Sequence, residues 1–219
     1  WTGDMSYITD SVFLNFYKHT VYDYVERWDL GIDKIMKRER SMNVSANVDP
    51  SNRFRGSRGI PGYDETNDGF RVGLEQLVVQ YSGYLAYARI QQFRGDNQEA
   101  DKFLIKAQEI HSLINTVWWD DEKQSYYFYL DKDLKLVHDH PLTARPVLFW
   151  DAADPLKLKA ILDSLSWEVK SRPDFGNIYQ SQMCMDFYKY GKSKPAYNLL
   201  KKFTHGKGRI YPEMSFTAI

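Results

Sequence analysis

With 219 residues and 29 basic against 29 acidic side chains, the chain has a formal net charge of zero, so it offers no global field to a polyanion or an anionic membrane surface. No apolar run approaches the roughly 20 residues that cross a bilayer, and no charged-then-apolar leader opens the sequence. The chain is therefore read as soluble, with neither nucleic acid nor a membrane span among its partners.

The lone cysteine, Cys184, can make no intrachain disulfide, and between Met183 and Met185 in an apolar helical pattern it reads as inert core. Aromatic residues make up 16% of the chain, including 16 tyrosines and 6 tryptophans, more than a core of this size requires. Such rings suit sugars, because C–H faces stack on the ring while the O–H or N–H reaches a hydroxyl. They serve equally as large knobs between packed helices, and both readings stay open. Composition shifts nowhere sharply, so residues 1–219 read as a single domain. The opening at Trp1 and the stop inside the apolar stretch Met214–Ile219 read as part of something longer.

In chain order, apolar residues at Ile8, Val12, Phe13, Phe16 and Tyr17 predict a helix from Met5 to His19. A second, with Val25, Trp28, Ile32, Ile35 and Met36, spans Tyr22 to Arg40, and a tight turn at His19-Thr20 would make the two a hairpin. The basic run Lys37-Arg38-Glu39-Arg40 reads as a solvated helix end that offsets the macrodipole. Residues 43–68 form a polar, glycine-rich connector too long to be ordinary and hence functional or disordered. Phe70 to Arg94 and Ala100 to Trp118 predict a second hairpin broken at Gly95-Asp96. Tyr126–Leu130, Asp131-Lys132-Asp133 and Lys135-Leu136-Val137 predict a small β-hairpin. A helix over Pro155–Leu165 precedes a third helical hairpin, Ile178–Tyr190 and Pro195–Phe203, broken at Gly191. Hairpins recurring at irregular spacing suggest a closed ring more than a strict solenoid. The fold class is all-α: an (α/α) toroid of helical hairpins, part of an (α/α)6 barrel, with a small β-hairpin on the rim.

Trp1-Thr2-Gly3-Asp4 ahead of a helix, Phe16-Tyr17-Lys18-His19-Thr20, and Ile114–Glu122 leading to Tyr126-Tyr127 together resemble the six-hairpin glycosidase superfamily. The W-T-G-D start is closest to the α-L-rhamnosidase catalytic domain. The acidic segment that precedes W-T-G-D in that family and its later tryptophan–glutamate motif are not found here. The resemblance implies a glycosidase with a carbohydrate substrate and inversion at the anomeric carbon, and it favours the periplasm or the cell exterior, a compartment the residues themselves leave open. It makes Asp4 a catalytic or sugar-binding acid and Trp1 a neighbour of the sugar. Asp4 also fits a helix N-cap.

Glycoside hydrolysis needs two carboxyl groups flanking the scissile bond. Three loop-to-helix junctions carry acids: Asp4; Asp64, Glu65 and Asp68 in Gly62–Gly69; and Glu213 in Tyr211-Pro212-Glu213. If the inner helices point their N-termini to one face, these acids converge there, with Asp64, Glu65 or Asp4 as general acid and Glu213 as general base. Arg55, Tyr63, Asp68 and Tyr211 are candidate substrate contacts, Arg55 through bidentate bonds. No cofactor is required, although the oxygen density of Gly62–Gly69 also suits calcium. His138 and His140 lack a third ligand at metal spacing, so no metal site is assigned. No G-x-S-x-G elbow supports a serine nucleophile. A polysaccharide lyase or sugar epimerase on the same toroid, and a non-catalytic glycan-binding toroid, are the alternatives. Sugar, linkage and oligomeric state are not encoded legibly.

Overall fold

In a computed structural model, residues 3–39, 70–138, 145–171 and 178–205 are described. Contacts divide the chain into two compact units, Trp1–Asp120 with Tyr126–Asp139, and Asp121–Ser125 with His140–Ile219. Both are mostly helical, and the first carries a small antiparallel β-hairpin.

The first unit opens with α1 (Ser6–Thr9) and α2 (Ser11–His19), separated at Asp10, whose extended backbone lets its carboxylate accept the Val12 N–H at 2.8 Å and cap α2. The turn expected at His19-Thr20 is absent. The helix runs on through a π-helical segment, Thr20–Tyr24, into α3 (Val25–Arg27). Neither residue breaks a helix: Thr20 Oγ1 donates back to the Phe16 carbonyl at 2.8 Å, and His19 pairs with Asp23 one turn on.

The helix expected to reach Arg40 stops early. Asp29 adopts a left-handed φ of 57°, Leu30 N–H bonds the Val25 carbonyl at 2.9 Å, and Asp29 N–H bonds that of Glu26 at 3.2 Å, a Schellman closure. Among the described residues from Leu30 to Glu39 only Ile35–Lys37 is helical, as a single 3-10 turn. Arg38, expected in solvent, is 1% exposed. Its Nε donates to the Trp28 carbonyl at 2.9 Å and its Nη1 to that of Arg71, so the cation does meet a helix end, but inside the protein.

The second hairpin forms at the expected break, with α4 (Leu74–Phe93), which starts four residues later than expected, and α5 (Asn97–Thr116), which starts three residues earlier, joined at Arg94-Gly95-Asp96. Gly95 takes φ +83° in another Schellman closure, and Asp96 then accepts the Glu99 N–H at 3.1 Å to cap α5. α5 buries one stripe, Ala100, Phe103, Ala107, Ile110 and Ile114, at alternating spacings of three and four. α4 is buried on a wider arc, from Leu74, Leu77 and Val78 to Tyr84, Tyr87, Ala88 and Gln91. Phe103 is the knob at their interface, with the rings of Tyr22, Tyr84 and Tyr87 edge-on at 5.1, 5.4 and 4.6 Å. At least these tyrosines therefore belong to helix packing.

After β2 (Trp119–Asp120) and β3 (Ser125–Tyr126), the anticipated β-hairpin joins β4 (Tyr129–Leu130) to β5 (Leu136–Val137), with Tyr129 opposite Val137. Its turn is held by Asp131 Oδ1, which accepts the N–H groups of Asp133 and Lys135 at 2.9 and 2.8 Å. An unanticipated third strand, β1 (Val72–Gly73), pairs antiparallel with β4, so the hairpin sits against the N-terminal end of α4.

In the second unit, α6 (Arg145–Phe149) precedes α7 (Leu158–Ser171), which starts later and runs longer than expected, and the hairpin α8 (Ile178–Lys189) and α9 (Ser193–His205) turns at Gly191, φ +73°. Val147, Leu148, Ile161, Leu165, Met183, Phe187, Ala196 and Leu199 form its core, and Cys184 lies within it at 2% exposure, burial pushing the thiol up to about 11. Tyr188-Lys189-Tyr190-Gly191 ties down the end of α6. Lys189 Nζ reaches the Phe149 carbonyl at 3.0 Å and Asp151 Oδ2 at 2.7 Å, while the Tyr190 hydroxyl lies 2.8 Å from the Leu148 carbonyl oxygen and 2.7 Å from Asp151 Oδ1.

Candidate functional site

Of the acids singled out in the sequence, Asp4 is the one within the described residues. It is exposed just ahead of α1, and its Oδ1 accepts the Ser6 N–H at 2.9 Å; that hydrogen bond holds its carboxyl below the ordinary aspartate range. The bond is a local turn contact, with Met5 and not Asp4 standing at the N-cap of α1. Trp1, Arg55, Tyr63, Asp64, Glu65, Asp68, Tyr211 and Glu213 lie outside the described residues, as does His140.

The described residues beside Asp4 and after the Gly62–Gly69 segment lie at the two ends of α4. Arg94 Nη1 contacts the Ile8 carbonyl oxygen at 3.5 Å, which sets α1 beside the C-terminal end of α4. Phe70, the residue after the Gly62–Gly69 segment, precedes β1 at the opposite end, stacked on Tyr129 with ring centroids 3.8 Å apart and edge-on to Phe128 at 6.0 Å. The 20 residues of α4 separate the two ends by about 30 Å. Asp4 and the exit of the Gly62–Gly69 segment are thus not brought together by the described elements.

His138 has its own partners: its Nε2 lies 2.9 Å from Asp120 Oδ2, and its ring packs on Tyr127 at 4.2 Å. Among the described residues no group of three or more His, Cys, Asp or Glu side chains could hold a metal ion, and no helix is long and apolar enough to cross a membrane.

Sequence reading missed two polar clusters. The first is a cleft of about 680 Å³ lined by Leu14, Asn15, Lys18, Tyr22, Asp23 and Glu26 from the first helix, and by Tyr87, Gln91, Arg94, Asp96 and Glu99 from the α4–α5 turn. Its floor is a carboxylate shared by two phenols: Tyr22 donates to Glu99 Oε1 at 2.6 Å and Tyr87 to the same oxygen at 3.4 Å, with Lys102 Nζ 2.6 Å from the Tyr22 hydroxyl. Burial, reinforced by Glu99, pushes Tyr22 upward and Tyr87 up to about 12, so both phenols stay protonated donors at neutral pH. Lys106, over the rings of Tyr22 and Phe103 at 5.3 and 5.1 Å, is shifted downward by its own burial. The shared carboxylate interlocks the first helix with the start of α5.

The second cluster, in the other unit, is a buried ion pair. Arg145 Nε and Asp186 Oδ2 are 3.7 Å apart at 6% and 2% residue exposure. That separation is too long for a hydrogen bond, and burial outweighs Arg145 and Lys189 to push Asp186 up to about 6. A run such as Met185-Asp186-Phe187 inside an apolar helix was the available signal for it.

No family model and no curated protein sequence matches the chain. Among solved structures, it is similar to a GH78 family rhamnosidase of Bacillus sp. GL1, with a TM-score of 0.65 and 16% identity over 93% of this chain and 19% of that one. The chain thus spans about a fifth of the rhamnosidase's length. At this identity the likeness is one of fold, a distant relationship that agrees with a mostly helical chain bearing a small β-hairpin.

Proposed function

We propose that the chain is part of a glycoside hydrolase that acts on an oligo- or polysaccharide by paired-carboxylate catalysis with inversion, on a toroid of helical hairpins. The observation that carries this reading is the coincidence of two independent signals. The W-T-G-D start resembles the rhamnosidase catalytic domain, and the fold is like that of a rhamnosidase along 93% of the chain.

Within this reading the proton donor is Asp64 or Glu65 and the base that activates water is Glu213. Asp4, whose carboxyl is held low by the Ser6 N–H, is a poor donor near neutral pH and is assigned to the sugar as an ionised contact. Trp1, Tyr63 and Tyr211 supply stacking faces, and Arg55 and Asp68 supply hydroxyl partners.

Turnover by full-length protein carrying single substitutions tests the assignment. Glu213→Gln is expected to lower kcat by at least about 10³-fold while leaving sugar affinity within a few-fold, the loss expected when acid–base assistance is removed. Asp4→Asn is expected to raise KM more than it lowers kcat. Unchanged turnover in Glu213→Gln would remove the base from the reading.

A further inference from the structure

We propose that Lys106 is an acylation site: a nucleophilic amine, paired with the cation of Lys102 one turn earlier on α5, that takes the acyl group of a small acyl phosphate. The cluster draws on three elements. Lys106 Nζ lies 5.3 Å from the ring centroid of Tyr22 in the π-helical segment, 5.7 Å from that of Tyr84 on α4 and 5.1 Å from that of Phe103 on α5. Among the described residues its ammonium donates no hydrogen bond and makes no ion pair, so the rings take water from the charge and return no acceptor. Ring faces favour a cation, but all three contacts stand near the ~6 Å limit of that attraction.

The neighbours decide the balance. Lys102 is held as a cation: its Nζ is 2.6 Å from the Tyr22 hydroxyl oxygen, which itself donates to Glu99, and 3.9 Å from Glu99 Oε2. Four residues apart on one helix face, Lys102 and Lys106 share the Tyr22 ring, with Nζ at 4.6 and 5.3 Å from its centroid. Glu99 and Glu109, on the same helix, favour the charged form, but burial and the repulsion of Lys102 outweigh them and shift Lys106 downward. Tyr22 and Tyr84, on the elements packed against it, are pushed upward and stay neutral. Desolvation and an adjacent cation are the two conditions that make a lysine amine nucleophilic near neutral pH. The Lys102 side chain, 51% exposed, also offers a charge to an incoming phosphate. In the step itself the Lys106 ammonium first loses a proton to water, and its nitrogen attacks the acyl carbonyl carbon. The C–N bond forms, the C–O bond to phosphate breaks, phosphate leaves with the bonding pair, and a second proton passes from nitrogen to solvent, leaving a neutral amide.

This inference does not rest on the hydrolase reading, and its test is read without sugar turnover. The full-length protein is incubated with acetyl phosphate across about pH 7–9, and acetylation at each lysine is followed by peptide mass spectrometry. Lys159 is the comparator, exposed and held in the charged form by Asp163 at 2.8 Å. Lys106 is expected to react at least about fivefold faster than Lys159, with the rise in rate centred at a lower pH. Lys102→Gln, which removes the neighbouring cation, is expected to slow Lys106 by at least about threefold, and Lys102→Arg, which keeps it, to hold the wild-type rate. The wild-type ratio and Lys102→Arg decide the matter even where Lys102→Gln fails to fold. Equal rates at Lys106 and Lys159, an unchanged rate in folded Lys102→Gln, or a slow rate in Lys102→Arg would overturn the proposal.

Discussion

Glu99 lies at the edge of an open cleft yet is committed to structure, since Tyr22 and Tyr87 both donate to one of its oxygens. Removing the Tyr22 hydroxyl leaves a half-buried carboxylate short of a donor. Tyr22→Phe is therefore expected to cost about 1–2 kcal/mol in urea unfolding, and a double-mutant cycle with Glu99→Gln should return a coupling of about 1 kcal/mol. Asp186 makes the opposite case, a carboxylate whose burial raises its folded pKa to about 6 from the ordinary 3.8. The folded state then binds the proton more tightly, so the penalty of ionising Asp186 is fully present above pH 6 and is relieved as pH falls from about 6 towards 3.8. Measured against Asp186→Asn, the wild-type chain should gain about 1 kcal/mol in relative stability between pH 7 and pH 5. A pH-independent difference would mean that Arg145 holds Asp186 ionised. Neither residue announced its role in the sequence. Tyr22 and Glu99 are 77 positions apart, and a lone acid in an apolar helix does not reveal which cation faces it. Arg38 misled for a related reason, because its two backbone acceptors, at Trp28 and Arg71, meet only in the folded chain.

Turns written with glycine were legible at the level of elements, and those written without it were not. Gly95 and Gly191 end helices at positive φ, as their positions implied, whereas the same closure at Asp29 and Asp151 uses residues that give no such signal. His19-Thr20 looked like a turn because an aromatic-rich helix ended in a basic residue, but nothing there forbids helical φ and ψ, and the chain continues as a π segment. β1 was missed because its two residues, too few to show alternation, were read as the first turn of a helix beginning at Phe70. No atom lies within 4 Å of a Cβ added at Gly95, so Gly95→Ala tests backbone strain alone and should cost about 1–2 kcal/mol. Leu134→Gly should act in reverse, since Leu134 is 43% exposed and held at φ 58°, and its relief should stabilise the β4–β5 hairpin by up to about 1 kcal/mol. Thermal denaturation of the two variants, rising in one and falling in the other, checks both.

At the scale of the whole molecule, helical periodicity carried the mostly helical character of the chain, because amphipathic stripes such as that of α5 are local facts of sequence. The site did not yield to the same method. Carboxylates that cooperate across a scissile bond come from distant junctions, and only Asp4 among the predicted acids lies within the described residues. Its bond to the Ser6 N–H and its place at the far end of α4 from Phe70 shift the weight of the catalytic reading to Asp64, Glu65 and Glu213. Hydrolysis with inversion, as proposed above, is tested most directly by incubating the full-length protein with a panel of aryl glycosides and plant and bacterial oligosaccharides and following the first-released anomer by NMR. Release of a single sugar with inverted configuration is the predicted result. Retained configuration, or no release from any member of the panel, would contradict it.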